Sequence, residues 1–71
     1  MTEINSRENE EFIKLGQALK KAGLVDSGVD AKMVILDGLV SVDGQVVTQR
    51  GKKLHGGEIV SYHGETIKII R

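Results

Sequence analysis

The chain of 71 residues contains no cysteine, no proline and no tryptophan. Without cysteine it can form neither a disulfide framework nor a thiolate metal site. Without proline it has no proline-rich linker. Phe12 and Tyr62 are the only aromatic residues, so the core must be built from aliphatic side chains. A chain of this length makes one domain, near the lower limit of what folds without covalent or metal cross-links.

Long apolar runs are also missing. No stretch approaches the roughly 20 apolar residues that span a membrane, and the opening MTEINSRENEEF does not resemble a signal peptide. We therefore expect a soluble, cytoplasmic protein that makes no membrane contact.

The formal net charge of zero hides an uneven distribution. Residues 1–13 hold four glutamates and one arginine, a net charge of −3. Residues 14–71 hold nine lysines or arginines and six acidic residues, a net charge of +3. A local basic surface is therefore compatible with the neutral total.

Polar residues without a clear pattern open the chain. They predict a flexible acidic arm over residues 1–11, followed by a single domain over residues 12–71. Apolar residues then recur at helical spacing and predict a first helix over residues 9–22, ended by Gly23. The residues on its apolar face are Phe12, Leu15, Gly16, Leu19 and Ala22.

A second helix is predicted over residues 28–36. Ser27 is a favourable N-cap, and Asp30 three residues later resembles a capping box and complements the helix dipole. Gly38 supplies the end of the helix. Its buried stripe would consist of Ala31, Val34 and Ile35.

Extended segments follow the second helix. Asp43-Gly44 lies between β-branched runs and predicts a two-residue hairpin, and His63-Gly64 predicts a second turn. The four predicted strands span residues 40–42, 45–48, 59–62 and 66–70, with a loop over residues 49–57. The sequence thus predicts an α+β fold in which two helices precede a small, mainly antiparallel sheet of about four strands.

Two features could bind an anion. At the start of the second helix, Ser27 lies beside unpaired amides and Lys32 lies about one turn further on. In the loop, Arg50, Lys52 and Lys53 are interspersed with glycines that allow close backbone approach. Cations of this kind bind a phosphate backbone mainly through counterion release.

Each feature also has a purely structural interpretation. Ser27 would cap the helix whether or not an anion bound there. Three cations in a polar loop are common. Lys20 and Lys21 could extend the basic surface, or they could simply form a solvated helix face.

No catalytic or metal-binding constellation is recognisable. His55 and His63 lie beside glycines and lack a third ligand at a known spacing, so we interpret both as turn residues. No serine or histidine lies in a nucleophile motif, and the glycines do not form a phosphate loop. We expect no enzymatic activity, no metal and no cofactor.

The chain resembles an S-four-type RNA-binding domain from about Phe12 to Tyr62. Its most specific part is the segment GLVSVDG at residues 38–44. The other matching residues are Leu15, Leu19, Ser27, Ala31, Lys32, Ile35 and the segment GEIV at residues 57–60. The loop over residues 49–54 is similar to that of small freestanding bacterial proteins of the YaaA/YbcJ type.

This resemblance implies the αL RNA-binding motif and a protein that binds structured RNA, ribosomal or transfer RNA. By this resemblance, Ser27 and Lys32 would contact the RNA from the second helix. Arg50, Lys52 and Lys53 would contact it from the loop. Structured RNA is recognised mostly by shape, phosphates and 2′-hydroxyls, which fits a chain with only two aromatic residues.

The chain departs from the family at three positions. Gly28 and Met33 stand where the family often has basic residues, and Asp43 stands where many members have asparagine. These departures reduce the basic surface of the second helix. The alternative function is therefore a protein-interaction module on the same fold with little RNA affinity.

Overall fold

The computed structural model of the protein describes residues 2–5 and 12–70. Within these residues it contains two helices and seven short strands, so the fold is of the α+β class. In chain order they are β1 (Thr2–Asn5), β2 (Ile13–Lys14), α1 (Leu15–Lys21), α2 (Gly28–Leu36), β3 (Val40–Val42), β4 (Gln45–Val46), β5 (Lys53–Leu54), β6 (Ile59–Tyr62) and β7 (Glu65–Ile70).

The strands form two sheets in the described part of the chain. The larger sheet has five strands in the order β1-β7-β6-β3-β4, and β2 pairs with β5 in a separate two-stranded sheet. All the pairings are antiparallel except that of β1 with β7. The prediction of about four mainly antiparallel strands was therefore too simple. Three of the seven strands have only two residues, and β1 at the start of the chain pairs with β7 at its end.

The start of the chain needs a correction. Residues 1–11 were predicted to form a flexible arm, but Thr2–Asn5 form β1, a parallel edge strand beside β7 with Ile4 opposite Ile69. Ile4 is only 6% exposed and belongs to the hydrophobic core, which explains why this strand is held. The remainder of the predicted arm, residues 6–11, lies outside the described residues.

Helix α1 is shorter than the predicted 9–22. Residues 9–11 lie outside the described part of the chain, and Ile13–Lys14 are extended because they pair with Lys53–Leu54. The helix begins after Lys14, whose backbone N–H donates to Oε1 of Gln17 at 3.1 Å. It ends before Ala22.

Helix α2 has the predicted bounds, Gly28–Leu36. Its N-cap is Ser27, whose Oγ accepts a hydrogen bond from the backbone N–H of Asp30 at 3.2 Å. Gly38 has φ +76 and its N–H donates to the carbonyl of Ile35, which ends the helix as predicted.

Both predicted turns are present. Asp43-Gly44 joins β3 to β4, and His63-Gly64 joins β6 to β7. Asp43 and His63 both have positive φ, +52 and +54, which two-residue hairpin turns require.

The core is aliphatic and collects side chains from both helices and both sheets. Its fully buried members include Leu15, Leu19 and Ile35 of the helices and Leu54 of β5. Its strand members in the larger sheet are Ile4, Val40, Val42, Val60, Ile67 and Ile69. This core fixes α1, α2 and the β2–β5 ladder relative to one another.

No helix in the described residues is both long enough and apolar enough to cross a membrane.

Candidate nucleic-acid interface

A basic cleft lies between α1, the start of α2 and the loop after β4. It has a volume of about 560 Å³. Among the described residues, four that line it are cationic and none is acidic. The cations are Lys14, Lys20, Lys21 and Arg50, and the other lining residues are Gly16, Gln17, Gly28, Ala31 and Gly51. The cleft is therefore positively charged and has backbone exposed at its glycines.

The loop is held against α1 by backbone hydrogen bonds. The N–H of Leu15 donates to the carbonyl of Lys52 at 2.9 Å, and the N–H of Gly16 donates to the carbonyl of Arg50 at 3.0 Å. Amides in the first turn of a helix have no partner within the helix, so these loop carbonyls satisfy them. Arg50 is thereby fixed at the cleft.

Gly16 lies where α1, α2 and the loop come together. A Cβ placed on Gly16 would lie 3.6 Å from the carbonyl oxygen of Arg50 and 3.7 Å from Cβ of Ala31. The space between the two helices and the loop is therefore just wide enough for a Cβ at ordinary van der Waals distance.

Lys14 was not among the candidates from sequence. In the structure it lies directly opposite Lys53 in the β2–β5 ladder. Like charges opposite one another destabilise a pair of strands. Apolar Ile13 and Leu15 alternate with Lys14 between them, and this strand pattern could have identified Lys14 as an exposed cation.

Lys53 has a contact of its own. Its Nζ lies 4.9 Å from the centroid of the Phe12 ring, within the roughly 6 Å of a cation–π interaction. The ring of Phe12 in turn lies 6.1 Å from that of His55. Lys53 does not line the cleft, and its position is explained in part by this aromatic contact.

The remaining predicted residues divide into two groups. Lys20, Lys21 and Arg50 lie together in the cleft. Ser27, Lys32 and Lys52 do not line it: Ser27 caps α2, while Lys32 and Lys52 are exposed. RNA contact by any of these residues stays a prediction.

The end of the loop is ordered by one carboxylate. The two oxygens of Glu58 accept hydrogen bonds from the backbone N–H groups of His55 at 2.8 Å and Gly56 at 2.7 Å. Partial burial raises the pKa of Glu58, but the backbone hydrogen bonds and the nearby His55 charge outweigh it and leave the pKa below its usual 4.5. His55 thus directly precedes the bend at Gly56 and Gly57 in the loop between β5 and β6.

No three histidine or acidic side chains in the described residues come close enough together to hold a metal ion.

Comparison with known proteins agrees with this geometry. The family model of the S4 domain matches residues 6–70. The chain belongs to the S4 domain family. The predicted S-four-type resemblance is therefore confirmed, and the match covers both helices and the strands from β2 onward.

Several relatives of this S4 domain are bacterial. The putative RNA-binding protein YbcJ of Escherichia coli is 36% identical over 58 residues, which cover 82% of this chain and 83% of YbcJ. The probable ribosome maturation protein RlbA of Bacillus subtilis is 39% identical over 54 residues, 76% of each chain. Tyrosine–tRNA ligase of Burkholderia lata is 42% identical over 53 residues, 75% of this chain but only 13% of that enzyme.

A solved structure supports the same fold. The solution structure of E. coli YbcJ, described as revealing an αL motif involved in RNA binding, superposes with a TM-score of 0.75 at 31% sequence identity. The match covers 100% of this S4 domain and 89% of the YbcJ chain. The predicted αL fold is confirmed.

Proposed function

We propose that this protein is a noncatalytic RNA-binding protein that docks on structured RNA through phosphate contacts in the basic cleft. The observation that carries the proposal is the charge of the cleft. Within the part of the chain that the structure describes, four cations line it and no acidic side chain does, although the chain as a whole is neutral. A polyanion binds most favourably where cations are concentrated in a concave surface.

The relatives favour RNA as the polyanion. YbcJ is described as RNA-binding, RlbA as acting in ribosome maturation, and the ligase acts on transfer RNA. We therefore propose ribosomal or transfer RNA as the class of ligand, and the cytoplasm as the place of action. No base-stacking surface is needed, because structured RNA is recognised through phosphates and 2′-hydroxyls.

Within the site, we propose that Lys20 and Arg50 face one another across a bound phosphate, with Lys14 and Lys21 beside them. Lys52 and Lys53 would contact the RNA at the rim of the cleft. Ser27 would contribute by capping α2, which keeps Gly28 at the cleft wall, and Lys32 would contribute from the outer edge of α2.

A salt series tests this proposal. Binding to ribosomal RNA fragments and to transfer RNA is measured for the wild type and for two variants of equal charge change. One variant carries Lys20→Ala and Arg50→Ala in the cleft, and the other carries Lys52→Ala and Lys53→Ala outside it. Lys68→Ala, on β7 and away from the cleft lining, measures the effect of losing one positive charge elsewhere on the protein.

We expect the cleft variant to lose the most affinity. Its plot of log affinity against log salt should flatten by about 0.7–0.9 for each phosphate contact removed. A wild type that binds neither ribosomal RNA fragments nor transfer RNA at low salt would refute the RNA function. A larger loss of RNA affinity in the Lys52/Lys53 variant than in the cleft variant would refute the cleft as the binding site.

A second function has one observation in its favour. Helix α2 carries exposed apolar side chains on its outer face, among them Met33 at 57% exposure. This supports a protein-interaction module on the same fold, either instead of RNA binding or beside it. A wild type that binds neither RNA at low salt would favour this alternative.

A further inference from the structure

Helix α2 is apolar on both of its faces. Ala31 and Ile35 are buried in the core on one face. Val29, Met33 and Leu36 lie on the opposite face and are 67%, 57% and 57% exposed. Their spacing of four and three residues aligns them in one stripe along the helix. A helix with apolar residues all round is typical of one that is covered on both sides.

The exposed stripe continues beyond the helix. Leu39 and Val46 are 55% and 64% exposed. A Cβ placed on Gly38, two residues after the end of α2, would lie 3.7 Å from Cγ1 of Val46, so Val46 lies close to the C-terminal end of the helix. Five exposed side chains of this kind amount to roughly 400–500 Å² of apolar surface, the size of the largest, often functional patch on a monomer.

Charged residues flank the stripe on both sides. In a heptad, Val29, Met33 and Leu36 occupy d, a and d positions, and Lys32 occupies g. The e positions are Asp30 and Asp37. One edge of the stripe is therefore acidic and the other basic, and Lys32, Asp30 and Asp37 are all exposed.

This arrangement is complementary to itself in one orientation only. When two such helices pack in parallel, each g residue faces the e residue five positions later in the other helix, so Lys32 faces Asp37 twice. When they pack antiparallel, the acidic edges meet each other and so do the basic edges. Asp37 also follows the last turn of α2, which has no basic residue to offset the negative end of the helix dipole.

We propose that α2 pairs with α2 of a second copy of this chain, in parallel. Val29, Met33 and Leu36 form the seam, and Lys32 of each copy forms an ion pair with Asp37 of the other. The arrangement is an isologous, two-fold symmetric interface. It goes beyond the proposed RNA function and does not depend on it: the cleft residues Gly28 and Ala31 lie off the seam, and Lys32 alone of the proposed RNA contacts lies beside it.

The area of the proposed interface is small. Two copies together would bury roughly 800–1,000 Å², below the roughly 1,200 Å² at which stable interfaces begin. The dimer is therefore of the weak, transient class. It forms at high protein concentration and dissociates on dilution.

Sedimentation velocity without RNA tests the proposal, over concentrations from about 10 µM to 1 mM. The wild type should shift from the monomer mass towards twice that mass as its concentration rises. Met33→Lys places a charge in the seam at an exposed position and should remain monomeric throughout. Circular dichroism confirms that each variant is folded.

Charge exchange tests the direction of the pairing. Lys32→Asp alone and Asp37→Lys alone should each weaken the dimer about tenfold, and the double exchange should restore it. A matched exchange on β7, Glu65→Lys with Lys68→Asp, should leave the dimer unchanged. A wild type that stays monomeric at 1 mM overturns the proposal. A double exchange that does not restore a dimer weakened by each single change overturns the parallel packing.

Because no RNA is present in these measurements, failure of the pairing is separate from failure of the proposed RNA function.

Discussion

Asp43 and Ile59 are joined by two hydrogen bonds across sixteen residues of chain. The carboxylate oxygen Oδ1 of Asp43 accepts from the backbone N–H of Ile59 at 2.9 Å, and the N–H of Asp43 donates to the carbonyl of Ile59 at 2.8 Å. The β3–β4 turn is thereby tied to the start of β6. The acidic side chain thus ties the hairpin to β6, a role beyond the turn that the Asp43-Gly44 pair predicted.

Replacing Asp43 with alanine should destabilise the protein. The variant loses the hydrogen bond to Ile59 and must hold alanine at φ +52, which together cost about 1–3 kcal/mol. Asp43→Asn is the matched control, since its amide oxygen can accept the same hydrogen bond and asparagine tolerates positive φ. Urea unfolding measures both variants, and equal stability of the alanine variant and the wild type would contradict the role of this bond.

The elements that sequence predicted well are those with local determinants. Helix α2 begins at Ser27 and ends before Gly38 because a side-chain cap and a left-handed glycine act within a few residues of the helix. The two turns at Asp43-Gly44 and His63-Gly64 are local in the same way. Such features can be read without knowledge of what packs against them.

The elements that sequence missed depend on distant partners. Strand β1 exists because Thr2–Asn5 lie beside β7, more than sixty residues away. Strands β2 and β5 have two residues each and are defined only by their pairing. The cleft was missed for the same reason: cation types are visible in sequence, but the loop carbonyls that hold Arg50 beside α1 are not.

The attachment of β1 gives a second prediction. Ile4→Ala should cost about 2–4 kcal/mol, because Ile4 is buried in the core and the change leaves a cavity. Glu3→Ala, an exposed change in the same strand, should alter stability by less than about 0.5 kcal/mol. Thermal or urea unfolding compares the two. Equal, small effects of both would mean that β1 is not bound to the sheet in solution.

Stability should depend on pH through Glu58. Its folded-state pKa is lowered below 4.5, so its contribution is fully present above the unfolded-state value near 4.5. The contribution disappears as the pH falls through the lower folded-state pKa, because the protonated carboxyl no longer accepts from two backbone amides. Urea unfolding of the wild type and of Glu58→Gln, from pH 7 down to pH 3, measures this difference.

The difference in stability between the wild type and Glu58→Gln should therefore shrink as the pH falls below about 4.5. Glu65→Gln removes one carboxylate from an exposed site on β7 and serves as the control. A difference between wild type and Glu58→Gln that stays constant over the whole pH range would show that Glu58 does not hold the loop through its charge.

The contact at Gly16 links stability to the basic cleft. Gly16→Ala places a methyl group at ordinary contact distance from the Arg50 carbonyl and Ala31, and alanine favours the helix by up to about 1 kcal/mol. Stability and RNA affinity should therefore be unchanged or slightly higher.

Gly16→Leu should have the opposite effect. The longer side chain must displace the Arg50 backbone and break its hydrogen bond with the N–H of residue 16, at a cost of about 1–3 kcal/mol. Because the loop moves away from α1, Arg50 leaves the cleft, which loses one of its four described cations. Thermal unfolding measures the first effect, and RNA binding at low salt, well below the unfolding temperature, measures the second. A leucine variant that keeps the stability and affinity of the alanine variant would mean that the loop can shift without cost, and that its close approach at Gly16 does not hold the cleft together.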